Sequence, residues 1–160
     1  MIVIVSGVSG VGKTTVGKLL ANALDCEFFD ADDFHSAKNV AKMTAGKPLD
    51  DNDRREWLEK LNSLIQDLVI RNRSAVLACS ALKQAYRDQL CINAEVKLVL
   101  LQADFPTVSE RLSKRSDHFM NADLLVSQFE TLEPANGEDL VIDASLSPAA
   151  IVAEIKAAIS

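Results

Sequence analysis

The residues with the clearest chemical potential lie near the start of the chain and match the pattern G-x-x-x-x-G-K-[ST]. They are Gly7, Val8, Ser9, Gly10, Val11, Gly12, Lys13 and Thr14. Such a loop turns its backbone N–H groups towards phosphate oxygens, and the helix that follows adds a favourable dipole. We expect Lys13 to reach the β- and γ-phosphates, Thr14 to offer its hydroxyl to Mg²⁺ and Thr15 to contact the nucleotide. The pattern predicts a nucleoside triphosphate site, whereas the G-x-G-x-x-G order of a dinucleotide-binding turn is absent.

A second group of reactive side chains is the acidic run Asp30-Ala31-Asp32-Asp33, which follows a short apolar segment. Carboxylates this dense are costly to bury unless a cation or a polar substrate faces them. The run would lie at the carboxyl end of a strand, where α/β sheets bind their ligands. A solvated acidic turn is the alternative interpretation. Asp33 is expected to cap a helix or to play an accessory part.

The elements that position these residues follow from the hydrophobic pattern. Short apolar segments rich in branched residues alternate with longer stretches of helical periodicity, which predicts a doubly wound α/β fold. Near-continuous apolar segments such as residues 2–5 suit a parallel sheet that is covered on both faces. With 160 residues, the chain fits a single domain spanning 1–160. We predict a five-stranded sheet, with strands at residues 2–6, 27–29, 75–79, 96–101 and 139–142.

Two segments depart from simple alternation. The chain between the second and third predicted strands is longer than one crossover helix requires. It contains a turn at Gly46-Lys47-Pro48 and an amphipathic stretch over residues 51–70, so we expect a helical substrate-binding insertion over about residues 33–73. Farther along, a helical stretch breaks at Ser116-Asp117-His118-Phe119. We expect a lid there, over about residues 112–122.

The charge of the chain limits its partners. Its 17 Lys and Arg against 23 Asp and Glu give a net charge of −6, which argues against binding nucleic acid or an anionic membrane surface. No apolar stretch approaches the ~18 residues that cross a bilayer. The three cysteines lack paired spacing and the first residues lack a basic leader, so we expect reduced thiols and a cytoplasmic location. An anionic ligand must therefore be held by local positive charge.

The rest of the chain separates the classes of protein that carry a phosphate loop. The guanine signature Asn-Lys-x-Asp and the Asp-x-x-Gly switch of GTPases are absent from the sequence. A chain of 160 residues also leaves little room for the machinery of a motor ATPase. A kinase that uses ATP and a small-molecule acceptor is favoured, because the acidic run supplies polar groups at the ligand-binding edge of the sheet.

Distinctive residue blocks extend over nearly the whole chain, from Gly7 to Pro134. They are Asp30-Ala31-Asp32-Asp33-Phe34-His35, Asn39, Lys42-Met43, Gly46, Pro48-Leu49, Asp51, Asp53-Arg54, Trp57-Leu58, Cys79-Ser80-Ala81-Leu82-Lys83, Tyr86-Arg87-Asp88, His118-Phe119 and Ser127-Gln128-Phe129-Glu130-Thr131-Leu132-Glu133-Pro134. These blocks resemble the signature of gluconate kinases, a family related in fold to shikimate and adenylate kinases. The resemblance implies transfer of the γ-phosphoryl group of ATP to the 6-hydroxyl of D-gluconate with Mg²⁺. It also suggests a homodimer.

The resemblance also implies roles for the acids and arginines. By similarity to the D-x-D of shikimate kinases, Asp30 acts through the Mg²⁺ shell and Asp32 orients or deprotonates the attacking hydroxyl. Asp143, which ends an apolar run, is the alternative metal-binding acid. By similarity to adenylate-like kinases, Arg111 stacks on adenine and Arg115 reaches the phosphates as a catalytic residue. The alternative for these two arginines is an exposed pair one helical turn apart.

A sugar acid offers one carboxylate and several hydroxyls, so its site needs a cation and several polar groups. The candidates are His35, Asn39, Lys42, Arg54, Lys83 and Arg87. Besides Asp32, we predict substrate contacts from the side chains of His35, Arg54, Lys83, Arg87 and His118. Lys83 and Arg87 are spaced i,i+4 on the helix after the third strand, and alternatively they pair with Asp88 or meet solvent. A purely structural role is the alternative for His118.

Three positions depart from the gluconate kinase pattern. Ser36 and Glu56 replace prolines, and Asp117 replaces a glycine. Two other functions therefore stay open. One is a different kinase of small acceptors, of the shikimate or nucleoside monophosphate type. The other is a nucleotide-binding regulator without catalysis.

Overall fold

Runs of aliphatic residues place parallel strands side by side at the centre of the molecule. The computed structural model describes residues 1–114 and 122–160. Within them, five strands form one parallel sheet in the order β2-β3-β1-β4-β5. The strands are β1 (Ile2–Ser6), β2 (Glu27–Asp30), β3 (Ala75–Ala78), β4 (Val96–Gln102) and β5 (Leu140–Asp143).

Helices connect the strands and cover the sheet. They are α1 (Lys13–Ala23), α2 (Ala37–Thr44), α3 (Asp51–Ile70), α4 (Gln84–Leu90), α5 (Phe105–Ser113), α6 (Ala122–Thr131) and α7 (Pro148–Ile159). A short 3-10 helix over Ala31–Phe34 follows β2 directly. Because β1 is flanked by β3 on one side and β4 on the other, the connections change direction at β1, and this is where open α/β sheets bind ligands.

Successive residues of β1 point to opposite faces of the sheet, and both faces are buried. Val3 and Val5 belong to a core that includes side chains of α1 and α7. Ile2 and Ile4 belong to a second core that includes side chains of α3 and α4. Burial on both faces explains why the first four residues of β1 are all aliphatic.

The insertion between β2 and β3 consists of α2 and α3, and both helices have side-chain caps. Ser36 Oγ accepts a hydrogen bond of 3.1 Å from the backbone N–H of Asn39 and so caps α2. Asp50 and Asp53 form a reciprocal capping box at the start of α3. At Ser36, where the gluconate kinase pattern has proline, the serine thus supplies a helix cap.

A small apolar cluster joins the insertion to α6. Met43 of α2 and Leu49 of the turn before α3 are buried together with Leu124 of α6. This contact brings α6 over the same edge of the sheet as the insertion. Residues of both elements line one cleft.

The predicted doubly wound α/β fold with a five-stranded parallel sheet is confirmed. Strand ends shift slightly: β5 ends at Asp143 rather than at residue 142, and β2 continues to Asp30 because Asp30 pairs with Ala78. Lys83 is the N-cap of α4 instead of lying within the helix. The predicted lid over about residues 112–122 lies mostly outside the described residues. Within residues 1–114 and 122–160, no helix has the length and apolar character needed to span a membrane.

Candidate active site

The loop between β1 and α1 has a backbone that only glycine adopts easily. Gly10 and Gly12 have φ values of 82° and 109°, in the region that side chains disfavour. At Gly10 a Cβ atom would also lie 2.6 Å from Cγ of Leu112 in α5, so both the conformation and the space exclude larger residues. Gly12 is the N-cap of α1, where the first N–H groups of the helix have no intrahelical acceptor. The predicted phosphate loop is therefore built for an anion at the start of α1.

The side chain of Lys13 extends towards the start of this loop and contacts its backbone. Its Nζ donates hydrogen bonds to the carbonyl oxygens of Gly7 at 3.0 Å and Val8 at 2.9 Å. From across the cleft, Gln128 of α6 accepts a hydrogen bond of 2.6 Å from the backbone N–H of Ser9. The N–H of Ser9 thus donates to the side chain of Gln128, and a phosphate oxygen could replace that side chain as the acceptor.

Thr14 and Asp30 form a candidate magnesium site. The Thr14 hydroxyl donates a hydrogen bond of 3.0 Å to Oδ2 of Asp30, and Oδ1 accepts one of 3.0 Å from the backbone N–H of Asp32. A hydroxyl and a carboxylate beside a phosphate loop are the oxygen donors that Mg²⁺ takes from proteins. Asp30 is also the cap of the 3-10 helix and Ser36 is the cap of α2, so Asp33 caps neither helix, and its accessory part stays a prediction. The alternative metal acid, Asp143, instead accepts a hydrogen bond from the backbone of Ser145.

Asp32 lies in the 3-10 helix and lines the cleft beside Lys13. Enclosure by the cleft walls raises the pKa of the Asp32 carboxyl group, although 62% of its side-chain surface stays accessible to solvent. Lys13 opposes this shift, whereas Asp30 and Asp33 add to it. A carboxylate with a raised pKa is a stronger base than an ordinary aspartate, which suits the removal of a proton from a hydroxyl.

The imidazole of His35 is held from several sides. Its ring stacks on Trp57, with centroids 4.3 Å apart and planes inclined by 11°. Its Nδ1 lies 3.3 Å from Nδ2 of Asn39, and its Nε2 lies 4.0 Å from Oδ1 of Asp32. Burial and then the charge of Arg54 lower the pKa of His35 to about 4. The ring is therefore neutral near pH 7 and acts as a polar group without charge.

Arg54 extends from α3 into the cleft and is held by a polar cluster behind it. Its Nη1 donates a hydrogen bond of 3.1 Å to the hydroxyl of Tyr86, which in turn donates to Asp51. Lys83 Nζ donates to the same oxygen of Asp51 at 2.8 Å, and this bond, followed by that of Tyr86, lowers the pKa of Asp51. Because the cluster contains two cations and one carboxylate, it leaves positive charge at this side of the cleft. Lys83 lies behind Arg54 rather than among the residues that line the cleft.

The prediction that Arg87 binds the substrate needs correction. Arg87 is 1% exposed, and its guanidinium donates hydrogen bonds to four carbonyl oxygens. The acceptors belong to Ala81, Leu82, Glu133 and Pro134, so Arg87 joins the loop before α4 to the segment after α6. The guanidinium is buried against backbone, and Arg87 is not among the residues that line the cleft. Arg87 is a structural residue.

Arg111 lies on the other side of the phosphate loop. Its Nη1 donates to the carbonyl of Val11 at 3.2 Å and its Nη2 to that of Ala144 at 2.7 Å. These contacts place the guanidinium beside a shallow hollow between the phosphate loop and the start of α7, lined also by Thr15 and Pro148. A planar cation at the edge of such a hollow can stack on an aromatic base.

The fold brings most of the predicted site residues to one edge of the sheet. Ser9, Lys13, Asp32, His35 and Arg54 line a single cleft. Thr14 and Asp30 are hydrogen-bonded to each other next to it. Arg115 and His118 lie outside the described residues, so their predicted roles stay predictions.

The sequence assigned no role to two side chains that complete the site, Asp51 and Tyr86, which hold Arg54. The signal for them was their place in the residue blocks shared with gluconate kinases. Gln128, which the sequence predicted could line the cleft, does line it and contacts the phosphate loop. A larger cavity of about 780 Å³ lies at the opposite edge of the sheet, near the starts of β4 and β5, away from the phosphate loop.

A parallel sheet in this order, a phosphate loop after its central strand and an acidic 3-10 helix after β2 define a P-loop kinase of small molecules. Comparisons with known proteins agree with this class. The family model for shikimate kinase matches residues 9–160. A probable gluconokinase from Dictyostelium discoideum is 44% identical over 97% of this chain and 84% of its own length.

Solved structures extend the match to the fold. A gluconokinase from Sinorhizobium meliloti 1021 is 38% identical, with a TM-score of 0.85 over 97% of this chain and 89% of its own. An unliganded sugar kinase from Janibacter sp. HTCC2649 is also 38% identical, with a TM-score of 0.91 over 98% of this chain and 92% of its own. The chain belongs to the gluconokinase family, within the wider group of shikimate kinase-like enzymes, and is a kinase that phosphorylates an alcohol group.

Proposed function

We propose that the chain transfers the γ-phosphoryl group of ATP to the 6-hydroxyl group of D-gluconate and so forms 6-phosphogluconate. The observation that carries this proposal is that the phosphate loop, the Asp32 carboxylate and the Arg54 guanidinium line the same cleft. A phosphate-binding backbone, a base and a cation for the acid are the parts that the reaction requires. Membership of the gluconokinase family supports gluconate as the acceptor.

On the donor side, the N–H groups of the phosphate loop bind the phosphates and Lys13 moves from the loop carbonyls to the β- and γ-phosphates. Thr14 and Asp30 are the residues that would hold Mg²⁺. When bound, Mg²⁺ neutralises phosphate charge during the transfer. Arg111 stacks on the adenine and Thr15 contacts the nucleotide from the first turn of α1.

On the acceptor side, Asp32 orients the 6-hydroxyl and accepts its proton as the new phosphoester bond forms. His35 donates a hydrogen bond to a hydroxyl oxygen of the sugar acid. Arg54 binds the carboxylate through its planar guanidinium, and Lys83, held at Asp51, adds positive charge behind it. The 3-10 helix after β2 presents Asp32, and the insertion that follows it presents Arg54 from α3.

Further proposals concern the lid and the assembly. Arg115 contacts the transferred phosphoryl group and His118 contacts the acceptor when the lid, over about residues 112–122, closes and excludes water. The chain forms a homodimer, acts in the cytoplasm and binds neither nucleic acid nor membranes. Light scattering of the purified chain tests the homodimer.

An assay of ADP release tests the function. Purified chain is supplied with ATP, Mg²⁺ and one acceptor at a time: D-gluconate, related sugar acids, shikimate or a nucleoside monophosphate. We expect gluconate to stimulate ADP release most strongly and Lys13→Ala to abolish the stimulation. Lys18→Ala, an exposed lysine on the same helix, serves as the matched control and should stay within about twofold of the native rate. Stimulation by another acceptor without stimulation by gluconate would refute the substrate while leaving the kinase class.

A further inference from the structure

We propose that Asn39 is a positioning residue, which holds His35 in the tautomer with its proton on Nε2, so that His35 and Asp32 together recognise a hydroxyl group. The recognition of a hydroxyl rests on the proposed function. The tautomer does not: it rests on the contacts of Asn39 with Asp53 and with the neutral imidazole of His35.

The orientation of the Asn39 amide is determined by a backbone group. Asn39 is 5% exposed, and its Nδ2 lies 2.8 Å from the carbonyl oxygen of Asp53 at the start of α3. A carbonyl oxygen only accepts hydrogen bonds, so the NH₂ group of the amide, and not its oxygen, must face Asp53. With the amide reversed, two oxygens would meet without a proton between them.

The same NH₂ group then determines the protonation of His35. Its second hydrogen faces Nδ1 of His35, where Nδ2 and Nδ1 are 3.3 Å apart. Nδ1 must therefore accept, and in a neutral imidazole the proton is on the other nitrogen, Nε2. Stacking on Trp57 holds the ring plane, which leaves Nε2 directed to the side of Asp32.

This arrangement specifies the polarity of the group that binds between the two side chains. Nε2 of His35 and Oδ1 of Asp32 are 4.0 Å apart, too far for a direct hydrogen bond. An oxygen placed at ~2.8 Å from each would fit between them. It would accept a hydrogen bond from Nε2 and donate one to Asp32, and a hydroxyl group does both. An ammonium group offers no lone pair and a carboxylate offers no proton, so the pair selects against both.

Nitrogen-15 NMR of the imidazole groups tests the tautomer without any substrate. The chain has only two histidines, and His35→Gln assigns the signals of His35 by removing them. In the native chain at pH 7 we expect Nδ1 in the unprotonated range and Nε2 in the protonated range. A native spectrum with a protonated Nδ1 would overturn the proposal.

Variants of one helix then separate positioning from stability. Asn39→Asp replaces the donor with an acceptor, so Nδ1 of His35 should become protonated and kcat/KM for gluconate should fall at least tenfold. Ser36→Ala is the matched control, because it removes the hydrogen bond to the backbone N–H of Asn39 and keeps the side-chain amide. It should leave the tautomer unchanged and kcat/KM within twofold. An Asn39→Asp spectrum like the native one, or turnover equal to that of Ser36→Ala, would overturn the positioning role.

The spectrum distinguishes this proposal from the proposed function. If the native chain fails to phosphorylate gluconate but shows the Nε2 proton, the function is refuted and the tautomer assignment stands. If Asn39→Asp does not fold, the native spectrum still decides the tautomer, and Asn39→Ala takes its place as the variant. Without the Asn39 donor, Asn39→Ala should populate both tautomers, and an unchanged spectrum would count against the proposal.

Discussion

The hydroxyl of Thr14 donates a hydrogen bond of 3.0 Å to the carboxylate of Asp30, which joins the first turn of α1 to the end of β2. These residues are 16 positions apart in the chain, and the parallel order of the sheet brings them together. The second oxygen of Asp30 is held by the backbone of Asp32. One contact therefore links the phosphate loop to the acidic 3-10 helix, and so the donor half of the site to the acceptor half.

Removing the charge of Asp30 should weaken the binding of magnesium more than the binding of gluconate. For Asp30→Asn we expect the apparent affinity for Mg²⁺ to fall by about 10- to 100-fold, as for other residues that orient a metal site. The measurement is the initial rate as a function of Mg²⁺ at saturating ATP and gluconate. Asp33→Asn removes an exposed acid nearby and should leave the Mg²⁺ dependence unchanged. Equal effects of both substitutions would contradict the assignment of Asp30.

Asp32 should control the acidic limb of the pH–rate profile. Its pKa lies above the ordinary value of 3.8, and the base must be deprotonated to act, so kcat/KM should rise with pH through that pKa. Asp32→Asn should lower kcat by about 10²- to 10⁴-fold and remove this limb. Survival of the same limb in the variant would assign it to another group.

The single tryptophan of the chain reports the protonation of His35. Trp57 stacks on His35 at 4.3 Å, and a protonated imidazole quenches indole emission at such a distance. Because the pKa of His35 is lowered to about 4, the emission of Trp57 should rise between about pH 3 and 5 as the imidazole loses its proton. His35→Gln should abolish this transition. A transition centred near pH 6.5 would mean that the ring is not desolvated as described.

The same group links folding stability to pH. His35 binds its proton at pH 6.5 when unfolded and at about 4 when folded, so between these values the unfolded state binds more protons. Its contribution to the free energy of unfolding is therefore complete above pH 6.5 and is lost as the pH falls to about 4. The loss should reach up to about 3 kcal/mol, from the difference in pKa. Urea unfolding of the native chain and of His35→Gln at pH 7 and pH 4.5 measures this difference.

Arg87 should affect stability and leave substrate affinity unchanged. Its buried guanidinium donates to four carbonyl groups, of which those of Ala81 and Leu82 are buried, so Arg87→Ala should lower the free energy of unfolding by about 3 kcal/mol. Arg87→Lys should also destabilise the chain, because an ammonium group cannot reproduce the planar fork. The KM for gluconate of folded Arg87→Lys should stay within about twofold of the native value. Arg71→Ala, which breaks an exposed pair with Asp67, should cost less than about 1 kcal/mol.

The fold followed from the sequence because its strands are short, aliphatic and buried on both faces. An aliphatic strand such as β1 must have both faces covered, which in this fold is done by helices on each side of the sheet. The phosphate loop marks the turn from β1 to α1. Within residues 1–114 and 122–160, differences arose at element ends, where single contacts decide, and in the short 3-10 helix after β2. Lys83 is an example: periodicity extends the helical pattern back to it, but the chain there has the extended conformation of an N-cap.

The site was predictable where one continuous motif, such as the phosphate loop, determines the local backbone. It was less predictable where residues distant in the sequence contact each other. Arg87 looked like a substrate cation because sequence shows its charge, whereas its carbonyl partners Glu133 and Pro134 come from a segment 46 and 47 residues away. The role of Asn39 likewise depends on Asp53, 14 residues away in another helix. Such contacts depend on how the insertion packs, which no local pattern encodes.

The most direct test of the account is the identity of the product. Phosphorus-31 and carbon-13 NMR of a reaction of the native chain with ATP, Mg²⁺ and ¹³C-labelled D-gluconate shows which carbon carries the new phosphoester. We predict phosphorus coupled to carbon 6 of gluconate in the native reaction and no phosphoester with Lys13→Ala. A phosphoester on another carbon, or consumption of ATP without a phosphorylated sugar acid, would contradict the account.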